Sequence, residues 1–270
     1  MRTTNSYCDR VSLFAILCAV TALAGASSAS AEEKPICADR PNKAVSPCTV
    51  DAGRWQVEVD VADFTHDRSA GVTTESGIWG APNIKYGVSS KLDLELNIAT
   101  FQTQRTSGSP MVSGFGDVTA RAKYALVTGD TAVTLMPVLK IPTASKAIGN
   151  GAVEGGLVVP VGFSLPGGAS VALNPEIDAF HDGVGNGTHA AYAISGVIGR
   201  SLTPEIIGAV ELWAAHNDDP AGKLNQASFD LGLAWIPMKD QNLQFDAGAN
   251  LGLTRDTPNL NVYVGVSRRF

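Results

Sequence analysis

The chain closes on Asn261-Val262-Tyr263-Val264-Gly265-Val266-Ser267-Arg268-Arg269-Phe270. Val262, Val264 and Val266 recur at every second position, with Tyr263, Gly265 and Ser267 between them. That period belongs to a β-strand with one apolar and one mixed face. The strand then runs out on an aromatic carboxyl-terminus. A soluble domain has no need to stop in mid-strand on Phe. A barrel of the bacterial outer membrane does, because its last strand closes against its first and ends at an aromatic girdle. Phe270 is accordingly expected to be a barrel assembly signal, which would make the barrel assembly machinery a partner.

The same alternation starts at Gly53 and persists to the end. Trp55, Val57, Val59 and Val61 alternate with Gln56, Glu58, Asp60 and Ala62; Leu92, Leu94, Leu96 and Ile98 alternate with Asp93, Glu95 and Asn97. The pattern predicts about twelve strands, most of ~10–12 residues, the length of a tilted strand that crosses a bilayer. Polar or Gly-rich stretches at 65–76, 102–116, 143–153, 181–188, 217–223 and 253–259 predict long loops. Tight turns are expected between them, at Ser89-Ser90, Gly129-Asp130, Pro166-Gly167-Gly168, Thr203-Pro204 and 237–241. Long and short connections in strict alternation fit an up-and-down transmembrane barrel, with an even strand number and both termini on the short-turn side. A soluble secreted β-sandwich does not demand that order, and its strands run shorter. The predicted fold is an all-β, antiparallel up-and-down transmembrane β-barrel. Pro82, Pro137, Pro160 and Pro175 fall inside predicted strands, where each removes a ladder donor; they are expected at bulges or near the interfaces.

Composition agrees. Of 270 residues 44% are hydrophobic and only 17% charged, with 28 glycines, and no apolar run beyond the first thirty residues is long enough for a helical span. A formal charge of −6 without a Lys/Arg cluster excludes a nucleic-acid partner. The first residues read as a secretory leader: Arg2 and Arg10, an apolar core from Val11 to Ala24, and Ala29-Ser30-Ala31 before Glu32. The expected organisation is a signal peptide over 1–31, a periplasmic segment over 32–52 and a barrel over 53–270. That places the mature protein in the outer membrane of a Gram-negative cell, with outer-membrane lipid around it. Cys18 lacks the small residues that precede a lipidated cysteine. Cys37 and Cys48 remain after cleavage, and two cysteines close together in an exported chain are most simply a disulfide, worth at most ~3 kcal/mol. A metal site is the alternative, but no His lies near the pair.

Charges on the polar parity of the strands are the candidate lumen residues: Glu58, Asp60, Lys85, Asp93, Glu95, Arg121, Lys123, Lys140, Glu176, Asp178, Glu211, Asp230 and Asp246. Asp93 and Glu95 should face Arg121 and Lys123 across one ladder. Such pairs either brace the wall or form a charged constriction that selects solutes. Both signs together suit a polar or amphipathic small molecule. Around twelve strands leave a narrow passage that a loop or residues 32–52 could plug. An enzyme would need a Ser with a His base in reach. His66, His181, His189 and His216 all fall in or beside predicted outer loops, and no Ser/His pairing stands out. No catalytic residue, metal or cofactor is expected.

Several segments carry a family resemblance. Asp39-Arg40-Pro41, Thr49-Val50-Asp51-Ala52-Gly53 leading into Trp55-Gln56-Val57-Glu58, Gly114-Phe115-Gly116-Asp117-Val118 before Lys123-Tyr124, Lys140-Ile141-Pro142-Thr143 and the terminal strand all contribute. Together they resemble outer-membrane transporters named for the MetA pathway of phenol degradation. The resemblance implies a barrel that carries small hydrophobic or aromatic compounds, and it supplies no catalytic or ligand residues. The expected function is a passive channel or transporter for small-molecule solutes. A non-conducting barrel with a structural or surface-contact role would have the same sequence signature.

Overall fold

The computed structural model describes residues 35–270, so the expected leader lies outside the described residues. Fifteen strand segments form one antiparallel sheet that closes on itself. Three barrel strands are interrupted, and the segments trace a twelve-stranded barrel. Its strands are β1 (Trp55–Ser69), β2 (Val72–Ser89), β3 (Leu92–Ile98 with Phe101–Thr106), β4 (Val112–Gly114 with Val118–Val127), β5 (Thr131–Ile141) and β6 (Glu154–Val158 with Val161–Leu165). They continue as β7 (Ala169–His181), β8 (Thr188–Ser201), β9 (Ile206–Asn217), β10 (Leu224–Trp235), β11 (Leu243–Gly252) and β12 (Leu260–Arg269). Each strand pairs with the next. The terminal strand closes the ring by pairing with β1 from Gln56↔Arg269 to His66↔Leu260. Phe270 continues the seam, donating its N–H to the Trp55 carbonyl at 2.8 Å. Closure leaves no sheet edge, as a lipid environment requires.

The distribution of polarity is inside out. The largest fully buried side chains include Lys85, Lys123, Gln56 and Glu211, whereas Leu94, Ile177, Leu212, Leu233 and Val264 stand exposed. A soluble β-protein would reverse that order. Aromatic residues mark both rims of the apolar exterior: Trp55 against Tyr86 and Trp235 against Phe245 at one end, Phe64, Trp79 and Phe101 at the other.

Strand limits differ from expectation at two places. Residues 65–76 form a continuation of β1 and β2 that turns at Ala70-Gly71, both at positive φ, so the first long loop is a tight hairpin. β3 and β4 likewise shrink the 102–116 loop to residues 107–111. These tips are polar on both faces, with Thr74 against Thr106, and so lack the apolar alternation by which a membrane strand is read. The other connections keep the expected alternation as far as 218–223, after which the expected tight turn widens to 236–242 and equals the loop over 253–259 in length.

The strand prolines sit where the ladders break. Pro82 of β2 lies beside the gap between Ile98 and Phe101. Pro160 is the gap in β6, and Pro175 of β7 faces it. Pro137 of β5 falls where pairing with β4 lapses between Arg121 and Tyr124. A missing N–H costs nothing where no partner strand is in register to receive it.

Candidate functional site in the barrel lumen

Residues 35–52 have no strand of their own. They fold into the lumen from the end that carries the short turns, with the Ile36 N–H on the Gln241 carbonyl and the Gly53 N–H on the Gly87 carbonyl. Cys37 and Cys48 are joined as a disulfide at the neck of the loop. A backbone without ladder partners must find its hydrogen bonds elsewhere. Here the wall supplies them. Glu58 accepts the Asp39 N–H at 3.1 Å, Glu211 accepts those of Lys43 and Ala44 at 3.2 and 3.0 Å, and Asp93 accepts that of Val50 at 2.8 Å. Asn174 accepts the Val45 N–H at 2.8 Å, and Thr134 donates to the Pro47 carbonyl at 2.5 Å.

The charges of the loop are answered in the same way. Asp39 meets Lys85 and Lys123, each at 2.5 Å. Lys85 also meets Glu58 at 2.5 Å, and Glu95 lies 3.7 and 3.6 Å from the two lysines. Burial alone would raise the Asp39 carboxyl, but attraction by Lys123 and Lys85 outweighs it and holds the group well below the usual carboxylate range. Arg40 bonds Asp60 and Asp246 while lying over the Tyr263 ring at 5.7 Å. Lys43 reaches Asp230 at 2.8 Å and Ser228 at 2.6 Å, with its ammonium 4.8 Å from the Trp213 ring. Two glycines leave the space: a Cβ on Gly265 would meet the Arg40 guanidinium at 2.3 Å, and one on Gly87 the Asp51 carbonyl at 2.1 Å.

The sequence-derived lumen residues therefore divide into two groups. Glu58, Asp60, Lys85, Asp93, Lys123, Glu211, Asp230 and Asp246 hold the loop, with Glu95 bridging the lysines. Arg121, Lys140, Glu176 and Asp178 lie further toward the loop end of the barrel. Lys140 pairs with Glu154 at 2.6 Å and lies 3.5 Å from Asp117. The expected register is present, Asp93 opposite Lys123 and Glu95 opposite Arg121. Arg121 nonetheless forms no ion pair with Glu95, because both wall lysines compete for that carboxylate.

Two sets of lumen charges escape a reading by alternation. Asp39, Arg40 and Lys43 lie in a segment with no strand period. Asp63 lies beyond a bulge between Asp60 and Ala62, where the extra residue Val61 swings outward and reverses the parity of β1. Asp63 then faces inward and accepts from Asn261 at 2.6 Å.

Beside the loop the lumen is not filled. A cavity of about 380 Å³ remains between it and the wall, lined by small apolar residues such as Ala132, Ala172, Val197, Ala209 and Ala234. The cavity wall is largely small and apolar, while the loop borders it with Asp39 and Arg40, and Asp130 and Gln244 add polar atoms from the wall.

Residues 38–270 match the family described as "Putative MetA-pathway of phenol degradation". The chain belongs to that family. Among solved structures it is similar to an outer membrane channel from Pseudomonas putida F1, with 16% identity and a TM-score of 0.65, covering 85% of this chain and 99% of that one. The NanC porin gives 10% identity and a TM-score of 0.52, with 78% and 98% covered. The translocator domain of the autotransporter NalP from Neisseria meningitidis gives 12% and 0.51, with 82% and 90% covered. At these identities the likeness is one of fold. No curated protein matches the chain. For this family member the fold agrees with the sequence-based expectation.

Proposed function

We propose that this family member is a passive outer-membrane channel for small apolar or aromatic molecules, closed on its periplasmic side by residues 35–52. The observation that carries the reading is the use made of the wall charges: those at the turn end are taken up by the loop, so they seat a plug rather than line an open constriction. What remains beside the plug is a cavity of about 380 Å³ with a largely apolar wall, within the size range of small-molecule sites. Outer-membrane barrels keep their short turns in the periplasm, which puts the plug there and the longer loops outside. Passage requires the plug to shift within the lumen or leave it. The reading as a channel also leaves the four histidines without a catalytic task.

The non-conducting reading is favoured by the number of strands the plug engages, since hydrogen bonds or ion pairs reach it from β1 to β5, β7 and β9 to β12. Conductance and solute flux of the refolded chain in lipid bilayers separate the two. The channel reading expects conductance, and flux of small aromatic solutes too polar to cross lipid unaided, both rising when the plug is loosened. A stably inserted barrel that passes no such solute, even with residues 35–50 deleted, would establish the structural role.

A further inference from the structure

A second, smaller cavity of about 120 Å³ lies between the plug and the wall of β4 to β7. Lys43 and Val45 contribute from the plug, Arg121, Asn174 and Glu176 from the wall, above an apolar floor that includes Met136. Arg121 and Glu176 stand one inward position beyond Lys123 and Asn174, so the cavity is on the loop side of the plug's anchors.

Its polar atoms are not spent. Asn174 is 3% exposed, and its Oδ1 accepts the Val45 N–H at 2.8 Å. That bond fixes the amide orientation, because only the oxygen can accept. The Nδ2 group is then left buried without a partner, and the Nε of Arg121 is buried without one too. Arg121 makes no hydrogen bond or ion pair among the described residues. Lys43, in contrast, is engaged by Ser228 and Asp230. A buried donor without an acceptor is costly, and two lining one cavity mark a place for a group that accepts from both.

We propose that this cavity is a subsite for the carboxylate of a small organic acid, held by Arg121 Nε and Asn174 Nδ2. Guanidinium and carboxylate form the stronger, charge-assisted class of hydrogen bond. Size fits a head group: at ~30 Å³ per water the space equals roughly four waters, enough for a carboxylate and a short chain. Glu176 shares the lining and answers part of the Arg121 charge, so the site has attraction to spare for one carboxylate at most, and a diacid is disfavoured further. The plug builds half of the site and orients Asn174. An acid bound there is in contact with the plug itself.

The inference rests on the lumen being the solute pathway, and goes beyond that reading by adding small organic acids to its apolar and aromatic solutes. The test is calorimetric titration of the refolded full-length protein with propionate, propionamide and succinate, with conductance in planar bilayers measured on the same preparation. Saturable propionate binding is expected, at least tenfold tighter than propionamide or succinate, weakened at least tenfold by Arg121→Gln and partly restored by Arg121→Lys. Folding of each variant is checked by heat-modifiable gel mobility. Propionate that binds no better than propionamide, or equally well to Arg121→Gln, overturns the subsite and leaves a cavity that holds water only. If the protein still conducts in that case, the channel reading stands without the subsite. Propionate binding without conductance would instead keep the site and remove the pathway.

Discussion

Asp39 Oδ1 lies 2.5 Å from Lys123 Nζ, although 84 residues separate them in sequence. The lysine belongs to the membrane-spanning wall and the aspartate to a segment that spans nothing. A buried ammonium needs a counter-charge, and here much of it is supplied by the plug. Barrel and plug are therefore electrostatically one unit in the closed state.

Neutralising Asp39 should loosen the plug while the barrel stands. In Asp39→Asn, Lys85 keeps Glu58 and both lysines keep Glu95 nearby. Breaking a buried pair costs about 3 kcal/mol at the low end of its range, and ~1.4 kcal/mol is a factor of ten. The fraction of open channels should rise by roughly a hundredfold, read as open probability in planar bilayers and as trypsin cleavage after Lys43. Wild-type conductance and wild-type protection in this variant would remove Asp39 as the anchor.

The disulfide should act on the same equilibrium through chain entropy. Cys37 and Cys48 are 11 residues apart and enclose Asp39, Arg40 and Lys43. A closed loop of that length is worth up to ~3 kcal/mol to the ordered state. Reductant, or the Cys37→Ser/Cys48→Ser pair, should speed trypsin cleavage after Lys43 several-fold and leave heat-modifiable mobility unchanged. Equal rates with and without reductant would show that the wall contacts alone hold the plug.

The barrel was legible in the sequence because lipid imposes period-two alternation on every spanning strand. Leu92 to Ile98 and Val262 to Val266 show it without exception. Where that constraint lapses, so does the reading: the hairpin tip at Ala70-Gly71 has no lipid face, and the extra Val61 reverses parity and hides Asp63. Placing thirteen charges on the inward parity needed only that alternation. What most of them contact did not follow, because Asp39, Arg40 and Lys43 sit in a segment without periodicity. Glycines on inward positions, Gly87 and Gly265, were a usable signal that another backbone or side chain comes close.

Gly265 makes that signal testable. Its inner face is occupied by the Arg40 guanidinium, which a Cβ would meet at 2.3 Å. Gly265→Val should expel Arg40 from between Asp60 and Asp246 and raise conductance. Gly265 lies at an ordinary negative φ in β12, so the strand itself accepts a β-branched residue. The control is Gly196→Val on the outer face of β8, where a Cβ meets only the end of the Leu173 side chain at 3.2 Å and touches no plug atom. Equal conductance in the two variants would argue against Arg40 as a seated anchor.

Acid should release the share of plug stability that Asp39 contributes, but only late. Its carboxyl is held below the ordinary value because attraction by Lys123 and Lys85 overcomes burial. A group with a depressed folded pKa gives stability that is complete above its unfolded value, ~3.9 for Asp, and is lost as pH falls through the folded one. The difference between wild type and Asp39→Asn isolates this group from the other carboxylates on the plug. That difference, read as trypsin protection of Lys43 after brief exposure to each pH, should stay constant from pH 7 to about pH 5. It should shrink only below about pH 4, as Asp39 in the wild type begins to take up the proton that the variant mimics. A difference that vanishes already near pH 6 would mean that Asp39 is not ion-paired in the folded protein, and that the plug is held without it.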